Sequence, residues 1–119
     1  MYDLTIMKVS QAAVLSPALL LQAQHMGSAL ARLRTARGVK QADAALRAGI
    51  SRNTAYRLEH GDPGLAIGQV LRYLDAIAPG STLLQLLTES DPALTALALR
   101  EQTQRVRSLS AADLDALNF

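Results

Sequence analysis

The stretch QADAALRAGISRNTAYRLEH, residues 41–60, decides how this chain folds. Gln41 to Ala48 reads as a short helix, and it stops at Gly49, where a left-handed backbone needs a residue without a side chain. Ile50 then supplies an apolar plug beneath two helices. Ser51 supplies a side-chain acceptor for the first free amides of a second helix, over Arg52 to His60. Two short helices joined by so tight a turn have the layout of a helix-turn-helix.

At about 100° per residue the second of these helices separates into two sides. Ala55 and Leu58 point one way with Ile50, while Asn53, Tyr56, Arg57 and His60 point the other, with Arg52 at the margin. That outer face carries no carboxylate. An arginine can bond a guanine edge with two donors and an asparagine an adenine edge in the same way. Arg52 and Asn53 lie in the first turn, the end that such helices insert into the major groove. A solvated polar face would explain any one of these residues, but their combination favours DNA. Gln41, at the start of the first short helix, adds a side-chain amide to backbone donors aimed at a phosphate. Arg34 and Glu59 sit near the apolar sides of their helices, which predicts a buried ion pair that sets how the two helices are oriented.

Outside this segment, Ser16-Pro17 is a cap-then-proline helix start, with a pattern that runs to Arg37. Leu30 and Leu33 mark its buried side, Gly27-Ser28 reads as a soft point and Gly38 as the stop. The turn Gly61-Asp62-Pro63-Gly64 precedes a helix over Ala66 to Ile77, with Val70, Leu71, Leu74 and Ile77 at core spacing. Pro79-Gly80 closes it, and a short apolar turn follows from Ser81 or Thr82 through Leu83, Leu84, Leu86 and Leu87. Asp91-Pro92 opens a helix to about Arg105, and Ser110 with Asp113 resembles the capping box of a last short helix. Leu4, Ile6 and Val9 alternate as in a short strand, which would need a partner strand.

The 119 residues suffice for one compact domain with short extensions. Leu and Ala supply most of the 50% hydrophobic content, against no Trp, one Phe and three Tyr, so the expected class is all-α. Absence of cysteine excludes disulfides, thiolate nucleophiles and sulfur-ligated metals. His25 and His60 have no ligand pattern around them, so neither a metal nor any other cofactor is expected. No nucleophile stands beside a base and no glycine loop could cradle a phosphate, which argues against an enzyme. No apolar run approaches the roughly 18 residues of a membrane span, nor does the start resemble a signal peptide. A cytoplasmic protein, on the nucleoid when bound to DNA, is the expectation.

The net charge of +2 conceals an asymmetry. Residues 26–60 hold seven cations against Asp43 and Glu59, a balance of +5, whereas residues 61–99 hold Arg72 against four carboxylates, a balance of −3. The cationic character belongs to the block that contains the proposed recognition helix.

Residues 26–78 resemble the Xre/Cro family of helix-turn-helix repressors. The resemblance is carried by Leu30-x-x-Leu33-Arg34, Gly38-Val39-x-Gln41, Ala45, Gly49-Ile50-Ser51-Arg52-Asn53-Thr54 and Glu59-x-Gly61. It implies a five-helix, lambda-repressor-like domain over residues 26–88, an N-terminal extension over 1–25 that includes the start of the first helix, and a helical tail over 89–119. It further implies that Gln41 binds phosphate, that Arg52, Asn53 and Arg57 read bases, and that Thr54 and His60 add backbone contacts. Arg34 would pair with Glu59. Tyr56 shares the DNA-facing side. Binding as a homodimer to an inverted repeat in double-stranded DNA is implied too.

Three positions depart from the family pattern. Lys40 replaces a hydroxyl cap, from where it can recover a phosphate contact, and Ala44 replaces a leucine. Asp62-Pro63 stands where relatives carry cations, which weakens the grip of that loop on DNA. The tail is similar to Xre-type antitoxins encoded beside Hip-type kinase toxins, which implies a toxin as a further partner. Arg100, Arg105 and Arg107 read as a solvated helix face rather than a second DNA patch. Leu114, Leu117 and Phe119 form an apolar ending suited to packing on the body or on a second subunit. The leading function is a sequence-specific repressor, autoregulatory as an antitoxin would be. The alternative is a protein-interaction module whose main role is to hold a partner.

Overall fold

The computed structural model describes the backbone of residues 9–117 and the side chains of residues 9–108. Among the described residues seven helices follow one another: α1 (Gln11–Val14), α2 (Pro17–Ala36), α3 (Gln41–Ala48), α4 (Arg52–Glu59), α5 (Ile67–Ile77), α6 (Leu83–Leu87) and α7 (Pro92–Leu117). No strand occurs among the described residues, and the expected all-α class is the one observed. The alternating segment 4–9 lies, except for Val9, outside the described residues.

The caps are where local chemistry places them. Ser16 Oγ accepts from the Leu19 amide at 3.3 Å and Ser51 Oγ from the Thr54 amide at 3.0 Å. Thr82 and Gln85 form a reciprocal capping box at the start of α6. Between α3 and α4, Gly49 takes φ +69°, and the Ile50 amide reaches back to the Ala45 carbonyl at 3.0 Å, which closes the turn.

The core is assembled from Leu30 and Leu33 of α2, Ala44, Ala45 and Ala48 of α3, Ala55 and Leu58 of α4, and Val70, Tyr73, Leu74 and Ile77 of α5, with Leu86 and Leu94 at its far end. Ile50 packs against it as the expected plug. α3 and α4 bury mainly alanine, and Ala44 is fully enclosed, so a leucine there would have to displace its neighbours.

Three expectations are corrected. Gly27 is no soft point: α2 runs through it unbroken, and the residue is buried. A Cβ there would lie 2.5 Å from the Gly61 nitrogen and 2.6 Å from the Leu58 carbonyl oxygen, so the missing side chain lets α2 touch the end of α4. Leu71 is exposed, and Tyr73 takes the buried place on α5 instead. Finally, α7 is one helix through Leu117 rather than two. Nothing between Arg105 and Ser110 breaks a helix, so the capping signal of Ser110 loses to continuation.

Two ion pairs strap α7 and the residue before it to α2 and its C-cap. Arg32 Nη1 and Nη2 grip both oxygens of Glu101 at 3.2 and 2.6 Å, and Arg37 Nε and Nη2 meet Asp91 Oδ2 at 3.0 and 2.6 Å. Beyond Glu101 the side chains through Ser108 are exposed, Arg105 and Arg107 among them. Leu114, Leu117 and Phe119 lie outside the described side chains.

Candidate nucleic-acid interface

The second helix of the pair, α4, is fixed from behind. Glu59 is buried, and Arg34 grips its carboxylate with two parallel bonds, Nε to Oε2 at 2.6 Å and Nη2 to Oε1 at 2.9 Å. Arg34 Nη1 donates in addition to the Val39 carbonyl at 3.0 Å, which ties the α2–α3 turn to the same group. The Tyr73 hydroxyl donates to Glu59 Oε2 and anchors α5. Burial opposes ionisation of Glu59, but the hydrogen bonds from Arg34 and Tyr73 outweigh it and hold the carboxyl below the usual carboxylate range. Burial, then the bond to Glu59, pushes the Tyr73 phenol up. The predicted pair is present, and Tyr73 is a third member that sequence reasoning missed.

The front of α4 is open. Arg52, Asn53, Tyr56 and His60 are all exposed, and among the described residues none of them forms a side-chain hydrogen bond to another side chain. Tyr56 and His60 stack with ring centroids 3.9 Å apart, and His60 Nδ1 lies 2.8 Å from the Tyr56 carbonyl. Together they form a flat lip at the C-terminal end of the face. Thr54 is half-buried, and its hydroxyl accepts from Ser51 Oγ at 2.9 Å, so its own proton remains for an outside acceptor.

Lys40 occupies the cap of α3 without a side-chain bond to the helix and is exposed, as a phosphate contact requires. Gln41 begins α3, half-buried, and adds to the interactions that hold Glu59 ionised. Arg57 is the residue the structure places differently from its neighbours. Its Nε donates to Asp62 Oδ2 at 2.7 Å, while Asp62 Oδ1 accepts from the Gly64 amide at 2.8 Å. The hydrogen bond from Gly64, then that from Arg57, keeps Asp62 below the usual carboxylate range. The partnership spans the αL turn at Gly61, and that turn was the available signal for it.

Residues 25–87 match the family described as a helix-turn-helix domain. The chain belongs to this family. The match spans α3, the Gly49 turn and α4, together with most of α2 and all of α5 and α6, and it contains every buried core residue except Leu94. No curated protein and no solved structure matches the chain significantly. Within the helix-turn-helix domain the outer face of α4 is exposed and carries no carboxylate. Among the described residues no group of three His, Asp or Glu side chains could hold a metal ion, and no helix is long and apolar enough to cross a membrane.

Proposed function

We propose that this helix-turn-helix protein is a sequence-specific transcriptional repressor that binds an inverted-repeat operator as a homodimer. The observation that carries the reading is the carboxylate-free outer face of α4, on which Arg52, Asn53, Tyr56 and His60 stand exposed on a helix clamped from behind by Arg34, Glu59 and Tyr73. Arg52 and Asn53 read base edges from the first turn. Arg57 adds a third base contact. Lys40, Gln41, Thr54 and His60 hold phosphates and fix the register. One recognition helix contacts only a few base pairs, so a second copy is needed for useful specificity. The protein acts without a cofactor and without catalysis.

Selection of bound sites from random DNA at two salt concentrations tests the reading. Enrichment of an inverted repeat with half-sites about one helical turn apart, and a steep loss of affinity with salt, is the expected result. No enrichment at either concentration would refute it.

A second reading rests on α7, which continues past Glu101, the partner of Arg32 on α2, and exposes Leu99 and Val106. Here the tail holds a partner protein, and repression is that of an antitoxin acting on its own promoter. A toxin-like reading frame beside the gene and co-purification of its product would support this. If removal of residues 108–119 left oligomer mass, stability and partner capture unchanged, that segment would have no part in it.

A further inference from the structure

Four arginines of the described chain are held by carboxylates, and they differ in which nitrogens they spend. Arg34 uses all three, Nε and Nη2 on Glu59 and Nη1 on the Val39 carbonyl. Arg32 spends its terminal Nη1 and Nη2 on Glu101, and Arg37 spends Nε and Nη2 on Asp91. Arg57 spends Nε alone. Among the described residues its Nη1 and Nη2 have no protein acceptor, and the side chain is 42% exposed on the recognition helix.

The carboxylate that holds it is itself fixed. Asp62 Oδ1 accepts from the Gly64 amide, its own amide donates to the Arg57 carbonyl at 3.0 Å, and Pro63 follows it. The turn that carries it is clamped to α2, since a Cβ on Gly61 would overlap the Gln24 backbone and one on Gly27 would overlap Gly61. A free arginine must give up several rotatable bonds when it docks on a base. Arg57 is already held at one edge by a rigid acceptor, with its terminal fork uncommitted.

We infer that Asp62 is a positioning residue for base recognition: it holds Arg57 by the Nε edge and so presents the Nη1/Nη2 fork for the two acceptors of a guanine. The inference rests on the DNA-binding reading above and names the regulation of specificity within that site. It also accounts for an acid in a loop facing DNA. Asp62 adds nothing to phosphate grip, but it fixes which base Arg57 meets.

The test uses the full chain, its selected site, and a set of sites altered at one base pair each. Asp62→Asn keeps an oxygen for the Gly64 amide and turns an N–H towards Arg57. Asp62→Ser keeps the turn with a side chain too short to reach Arg57. Both are first matched to the unsubstituted chain by thermal melting. Each should reduce discrimination at a single base-pair position about fivefold or more, without lowering affinity for unrelated DNA. In an Arg57→Ala background neither should change discrimination at all. If both variants raise affinity equally for every sequence and leave discrimination intact, Asp62 is only a repelling charge and the inference fails. If discrimination changes to the same degree with Arg57 absent, it also fails. Absence of specific binding by the unsubstituted chain would instead refute the DNA-binding reading, and the positioning role with it.

Discussion

The two sides of α4 use the same residue types to opposite ends. Behind the helix, Arg34, Glu59 and Tyr73 satisfy one another, with both oxygens of the carboxylate taken and all three guanidinium nitrogens spent. In front, Arg52 and Asn53 are exposed, and Arg57 keeps its terminal nitrogens uncommitted among the described residues. A complete hydrogen-bond set in a low-dielectric interior fixes orientation, because any rotation of α4 would leave a buried charge unpaired. An incomplete set at the surface is a recognition surface, because its donors still need acceptors. Substitutions on the two sides should therefore separate stability from DNA binding.

The largest effect is expected from behind. Glu59→Ala leaves the Arg34 guanidinium and the Tyr73 hydroxyl without their shared acceptor and should cost about 3–5 kcal/mol of stability by denaturant unfolding. The pH dependence has two limbs. Glu59 is held below its ordinary range, so its contribution is present above the unfolded carboxylate pKa of about 4.3 and is lost as pH falls through the lower folded value. Tyr73 is pushed up, so its contribution is present below the unfolded phenol pKa of about 10 and is lost as pH rises through the folded value. Glu59→Gln should flatten the acid limb, and Tyr73→Phe should remove the alkaline one. Melting curves across pH check both.

Gly27→Ala comes next. The new methyl would stand 2.5–2.9 Å from backbone atoms of Leu58, Glu59 and Gly61, so α2 and the end of α4 must separate. About 1–3 kcal/mol of destabilisation is expected from overpacking of this kind. Affinity for DNA should fall as well, since the Arg57–Asp62 pair sits on the displaced turn. Undiminished affinity with lowered stability would show that the two sides of α4 are less coupled than the clamp implies.

Elements were legible in the sequence wherever the deciding signal was local. Gly49 and Ser51 announce the turn within three residues, and Ser16-Pro17 announces α2. The Arg34–Glu59 pair was legible because a charge on an apolar helix face has to find its opposite. What stayed hidden depends on contacts between distant residues. Gly27 reads as a weak point in a helix until Gly61 is seen against it. Tyr73, rather than Leu71, lies on the buried face with Val70, Leu74 and Ile77, and what admits its hydroxyl there is a distant acceptor, Glu59 Oε2, which Arg34 also holds. Arg57 and Asp62 lie five positions apart, and only the αL conformation of Gly61 brings them together.

From the front, Asn53→Ala and Arg52→Ala should leave stability within about 0.5 kcal/mol, because both side chains are exposed and make no side-chain bond among the described residues. Each should weaken specific binding by about 1–3 kcal/mol and relax preference at a single position. Titrations of operator and altered operators, beside an unfolding curve, measure both quantities on one preparation. Loss of stability without loss of discrimination would invert the assignment of the two sides.

The smallest effect is expected away from α4, at the strap between α2 and α7. Arg32 and Glu101 make a bidentate pair at 3.2 and 2.6 Å, its shorter bond equal to the shorter one behind α4, yet both side chains remain 39% exposed. Water already solvates both ions there, so the attraction is screened and partly offset by the freedom the two side chains give up. Glu101→Gln should leave the melting temperature nearly unchanged at physiological salt and lower it slightly only at low salt. Similar geometry with so different a consequence would show that burial, not distance, separates the Glu59 carboxylate from that of Glu101. A drop at Glu101→Gln as large as that at Glu59→Ala would mean that α7 beyond Leu94 is coupled to the core that holds the recognition helix.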